Sequence, residues 1–128
     1  MRFRSAALAL AFAAGLASPA LAHHSFNMFA LDKVVTVTGD VTRVAWKMPH
    51  VWLYAMVATD KGPQEWGFEL HAPNLVARKG WRSATIKPGD KLQIAMHPMR
   101  DGTMSGSLIY VTQADGKVLW NADSLNQP

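Results

Sequence analysis

Residues 34–46 read Val-Val-Thr-Val-Thr-Gly-Asp-Val-Thr-Arg-Val-Ala-Trp, and this stretch decides the fold. Its first five residues are all β-branched, a composition that suits a pleated, half-buried surface better than a helix. Gly39-Asp40 interrupts the run and Val41 to Trp46 resumes it, which predicts one long first strand with a bulge or bend at Gly39. Met48-Pro49 then forces a corner, because proline cannot sit in a central strand.

Downstream, Val51 to Thr59 forms the second strand, with Val51, Leu53, Ala55 and Val57 on one face and His50, Trp52, Tyr54 and Met56 on the other. The first set is the candidate core. Asp60-Lys61-Gly62-Pro63 is a turn, and Glu65 to Leu70 a third strand with Trp66, Phe68 and Leu70 inward and Glu65 and Glu69 outward. Pro73 to Lys79 reads as a short helix, opened by proline and closed by Gly80. After the Pro88-Gly89 turn, Leu92, Ile94 and Met96 alternate along a fourth strand, and Leu108 to Thr112 is a fifth. Asp115-Gly116 closes a hairpin into a short added strand over Lys117 to Trp120. A long bent first strand, with one helix between strands three and four, matches the mainly β, five-stranded Greek-key barrel of the OB-fold. No βαβ alternation supports a parallel sheet, and a plain β-sandwich leaves the helix without a role.

Upstream, residues 1–22 carry Arg2 and Arg4, an apolar run from Ala6 to Leu16, and Ala20-Leu21-Ala22 as a small-residue cleavage site. This is the pattern of a secretory signal peptide, cleaved after Ala22, and the expected home is the periplasm. The expected organisation is therefore signal peptide 1–22, N-terminal arm 23–33, barrel 34–121 and polar tail 122–128. The chain of 128 residues has a net charge of +4, and removal of the signal takes two arginines and no acid. Too little basic charge then remains to argue for a nucleic-acid partner. The absence of cysteine excludes a disulfide framework, a zinc ribbon and a thiol nucleophile. No segment after the signal is long and apolar enough to span a membrane.

These residues resemble a family of small secreted bacterial proteins known only as a domain of unknown function. The resemblance rests on His23-His24-Ser25-Phe26, Trp46 with Pro49-His50-Val51, Glu65-Trp66-Gly67-Phe68-Glu69 and Pro73-Asn74. It continues through Gly80-Trp81, Lys87-Pro88-Gly89-Asp90 and His97-Pro98 with Arg100-Asp101-Gly102. The corner in that family is usually Asn-Pro-His, and Met48 replaces the asparagine here. The resemblance implies a fold and a compartment, and no activity.

Candidate chemistry rests on the five histidines, none of them in a spaced metal signature such as HExxH. Cleavage after Ala22 puts a free α-amine on His23, whose amine and Nδ1 together clamp Cu(II); His24 offers a competing chelate. In an OB barrel the loops after strands one and four border one binding face, so His50 and His97 are expected to approach each other there. Met48 and Met99 are the assisting thioethers, with Met104 a further loop candidate, whereas Met56 and Met96 read as packing. His71, at the helix entry, reads as structural. The residue types are similar to those of the small periplasmic OB-fold copper chaperones of the Cus efflux system, although no motif aligns. The expectation is thus a periplasmic binding protein handling copper through His23, His24, His50 and His97. The alternative is a metal-free envelope module that binds a small molecule, a glycan or a partner protein on Trp52 and Tyr54, with Glu65 and Glu69 beside them. A catalytic role is not expected, since no nucleophile elbow or phosphate loop is present.

Overall fold

The computed structural model describes residues 28–122. In chain order these form β1 (Val35–Ala45), β2 (Trp52–Thr59), β3 (Gly62–Glu69), α1 (Pro73–Arg78), β4 (Lys91–Pro98), β5 (Ser105–Gln113) and β6 (Val118–Asn121). β1 pairs antiparallel with both β2 and β4, β2 pairs with β3, and β4 with β5. A parallel pairing of β3 with β5, Gly67 to Ser105 through Glu69 to Ser107, closes five strands into a barrel. β6 extends the sheet beyond β5. This is the OB-like barrel expected, with its single helix between β3 and β4.

The strands exist where β-branched and aromatic residues alternate with polar ones, and the alternation fills the interior. Val51, Leu53, Ala55 and Val57 are all buried, as are Phe68, Leu92, Ile94, Met96 and Val111. Met96 is core, but Met56 lies on the outer face and is exposed, so the sequence reading of both as packing holds only for Met96. Trp81 and Trp120 extend the core under the helix, ring edge to ring face at 5.4 Å, and the Trp81 indole donates to the Leu119 carbonyl at 2.7 Å. α1 contributes Val76 to this core, and Gly80 at φ +86° reverses the chain after it.

The register shift in β1 does not fall at Gly39, where the sequence reading puts a bulge or bend. Gly39 pairs in regular register with Val57 and with Leu92, and the register shifts instead between Val41 and Arg43. Glycine at 39 answers a different need: a Cβ there would lie 2.9 Å from the Met56 carbonyl oxygen and 3.0 Å from the Ala55 Cβ. β1 and β2 approach too closely for a side chain between them. β3 begins at Gly62, directly after a tight turn, and β5 begins at Ser105 rather than Leu108. The early start of β5 depends on its parallel partner, which no local pattern in Ser105-Gly106-Ser107 announces.

The arm is also more ordered than a lead-in. Phe29 forms a bridge with Met99 and is buried with Ala30; Ala30 N–H donates to the Pro98 carbonyl at 2.8 Å, and Arg100 N–H to the Met28 carbonyl at 2.9 Å. Residues 28–33 are thereby pinned across the β4–β5 turn. The expected signal peptide, His23, His24 and the tail beyond Ala122 lie outside the described residues.

Gly106 sits on the closing seam, where a Cβ would press on the Met96 sulfur and lie 2.5 Å from the His97 carbonyl oxygen. Gly106→Ala should therefore lower stability in urea by about 2–3 kcal/mol, in the overpacking range. A loss below about 0.5 kcal/mol, within the range of neutral surface changes, would show that the seam yields and does not hold the barrel closed.

Candidate functional site

Ladder partners share one side of a sheet, so pairing alone assembles a row of outward side chains. Trp52 lies opposite Glu69, Glu69 opposite Ser107, and Ser107 opposite His97. At the end of this row the β2–β3 pairing continues past the strands: Leu70 N–H donates to the Val51 carbonyl at 2.9 Å, and Val51 N–H to the His71 carbonyl at 3.0 Å. Those two bonds set His50 beside Glu69 and His71.

His50 Nδ1 contacts the Glu69 carboxylate, with the two side chains only 27% and 12% exposed. Phe29, Ser107 and His71 join them around a cleft of about 50 Å³ whose apolar floor is Leu70 and Leu108. One water occupies about 30 Å³ of liquid, so the cleft admits an ion or a water and excludes a sugar ring. Burial, with the nearby His50 charge adding to it, holds the His71 pKa below its usual value against the opposing pull of Glu69. His71 is accordingly an uncharged imidazole at neutral pH. Its ring also lies 6.2 Å from that of Trp120, which anchors it against the core.

His97 is placed differently. Its Nδ1 lies 2.7 Å from the Lys33 carbonyl oxygen. A carbonyl only accepts, so Nδ1 carries the proton and the lone pair of the neutral ring is on Nε2. His97 stands two strand spacings from Glu69, on the order of 10 Å. The histidine that joins His50 is His71 rather than His97. Met48 is 69% exposed on the corner, and Met99 belongs to the turn that receives the arm. Among the described residues, no group of three or more His, Cys, Asp or Glu is set to hold a metal ion.

The aromatic pair forms a second feature. Trp52 and Tyr54 stack at 6.1 Å with 24° between their planes. They lie over Gly67 of β3, where a Cβ would meet Tyr54 at 3.2 Å and Trp52 at 3.5 Å, so glycine lets both rings settle on the strand. The Arg43 guanidinium covers the Tyr54 ring at 3.3 Å. Arg43 also reaches Glu65 at 3.5 Å, and Glu65 accepts a hydrogen bond from the Thr42 hydroxyl at 2.6 Å. The two carboxylates expected beside the aromatic pair are therefore divided, Glu65 to the β1 surface and Glu69 to the histidine cleft.

His71, Ser107 and Phe29 are the site residues that sequence reasoning missed. Strand alternation continued by one more residue puts His71 on the same side as Glu69. Ser107 and Phe29 enter through long-range pairing, for which the sequence carries no local signal.

A closed five-stranded β-barrel with a histidine–carboxylate cleft at its rim defines the class. More particularly, the chain belongs to a family of unknown function, DUF6152, whose profile matches residues 11–108. No curated protein and no solved structure matches it. No helix among the described residues is long and apolar enough to cross a membrane.

The lowered His71 pKa links folding to pH. Between the folded value and the ordinary value near 6.5 the unfolded chain binds more protons, so stability rises with pH there. The contribution is complete above about pH 7 and is lost as pH falls from about 6.5 toward the lowered folded value. Urea stability of the metal-free protein should thus decline as pH falls through about 6.5, and His71→Gln should flatten that slope. An identical slope in the variant would remove His71 from the account.

Proposed function

We propose that this chain is an exported envelope protein that binds copper at a histidine site on the barrel rim. One observation carries the reading: His50 held by Glu69, beside an uncharged His71, in a cleft of ionic size. A carboxylate on Nδ1 fixes the ring and its tautomer and makes Nε2 the basic nitrogen, as it does for histidines that ligate metals. Imidazole nitrogen suits copper well. Two imidazoles do not complete a site, and the further donors come from the segment ahead of Met28. His24 precedes Phe29, which lines the cleft, by a stretch that extends no more than about 18 Å. With the signal removed after Ala22, His23 adds its α-amine and Nδ1. His97 and Met99, across the pinned arm, are the alternative donors from the described chain.

A second reading rests on the Trp52–Tyr54 pair seated over Gly67. With Tyr54 covered by Arg43, it is the Trp52 ring that suits a metal-free role, binding a small molecule, a glycan or a partner protein in the envelope.

Copper titration of protein beginning at His23 tests both readings. Stoichiometric binding should weaken about tenfold or more in His50→Ala and in a form with one glycine ahead of His23, and should be unaffected by Trp52→Ala. Binding that is absent, or equal in all forms, would overturn the copper reading and leave the aromatic surface as the site.

A further inference from the structure

A broader cleft of about 450 Å³ is lined by Trp46, which opens the β1–β2 corner, and by Asn74, Ala77, Arg78, Arg82 and Ser83. Its size falls in the range of small-molecule sites. We propose that this cleft binds an organic anion, an oxyacid group such as phosphate or carboxylate carried on a flat, apolar body.

The argument begins with charge. The lining includes two arginines and no acidic residue. Among the described residues, neither Arg78 nor Arg82 is in an ion pair. Two guanidinium charges thus face one cleft, with no ion-paired carboxylate among the described residues to neutralise them. Arg82 is also fixed in place: its Nη1 donates to the Ala77 carbonyl at 3.2 Å and to the Trp81 carbonyl at 3.0 Å. Both acceptors are neutral, so these bonds set the plane of the guanidinium while its full charge remains. Its Nη2 and Nε donors lie on other edges of the same rigid plane, the arrangement that recognises oxyanions.

The remaining lining completes the chemistry. The Asn74 amide and the Ser83 hydroxyl add neutral polar groups at the rim. Trp46, half-buried, supplies an apolar wall against which a ring or flat chain would lie. An inorganic ion would use the arginines and leave this wall unused. A ligand with both an anionic head and an apolar body uses both.

Arg82 also satisfies carbonyls at the C-terminal end of α1, and a purely structural role would end there. Titration of the signal-free chain with phenyl phosphate, benzoate, inorganic phosphate and phenol separates the two roles, followed by amide and indole NMR shifts. Phenyl phosphate or benzoate should saturate shifts at Trp46, Asn74 and Ser83, and which binds more tightly assigns the head group. Inorganic phosphate and phenol should each bind about tenfold more weakly or not at all, the loss of one good contact. Arg78→Gln, at an exposed position, should weaken phenyl phosphate about tenfold with no change in urea stability, whereas His50→Ala should leave its binding intact. No saturable shift at these residues with either aromatic anion, or equal binding in Arg78→Gln, would overturn the proposal and confine Arg82 to capping the helix.

Discussion

The parallel pairing of β3 with β5 closes the sheet on itself, and the positions of all the candidate groups depend on it. Only three residue pairs form it, Gly67–Ser105, Phe68–Gly106 and Glu69–Ser107. Two further bonds reinforce it, from the Ser105 hydroxyl to the Gly67 carbonyl at 2.9 Å and from Gly67 N–H to the Met104 carbonyl at 3.1 Å. Without the seam, β3 and the first half of β5 would present open edges, and the core residues Phe68, Leu108 and Met96 would lose their common interior. The seam also shapes the cleft, because it places Ser107 next to Glu69, and the Phe29–Met99 bridge adds the arm to the same lining. Small residues are required there. Gly106 has Met96 directly against it, and Gly67 has the Trp52 and Tyr54 rings over it.

Much of this architecture was legible in the sequence, for a definite reason. Antiparallel neighbours joined by short turns announce themselves through period-two alternation, and Val51, Leu53, Ala55 and Val57 were assigned inward from that pattern alone. The helix was legible from Pro73 and Gly80. The features that escaped are those set by long-range contact. Gly39 looked like a bend because glycine in a strand usually signals one, yet its role is the close approach of β1 and β2, and the register shift falls at Val41–Arg43. Ser105-Gly106-Ser107 looked like loop because a seam strand of small residues has no apolar alternation to show.

The candidate site was legible in residue type and only partly in grouping. His50 was singled out from its corner, and the barrel topology was expected to bring His97 to it. The topology is as expected, but β5 stands between His97 and Glu69, and the Lys33 carbonyl holds the His97 ring. His71 takes the neighbouring position instead, through two backbone bonds that prolong the β2–β3 ladder past the last strand residue. The alternation itself runs on through Leu70 to His71, but whether the pairing runs on with it is set by main-chain geometry beyond the local sequence. The corner at residues 46–51 gains importance as a result. It carries Trp46 into one cleft and His50 into the other, so one turn positions two chemically distinct surfaces.

Glu65 and Glu69 show how position and not identity decides what a carboxylate does. Both lie on β3, four residues apart and on the same outward side. Glu65 is 39% exposed and meets Arg43 and Thr42 at the surface, where such a pair contributes on the order of 0–1 kcal/mol. Glu69 is 12% exposed and meets His50 under the cover of Phe29. A carboxylate so enclosed is poorly solvated, and it is tolerated because an imidazole faces it. The need is mutual, since the same contact fixes the orientation and tautomer of His50. Apolar side chains would fill the same space with less desolvation, so the pair positions His50 more than it stabilises the barrel. The arm bears on the same pair from the other side: Phe29, buried and bridged to Met99, lines the cleft that Glu69 and His50 share.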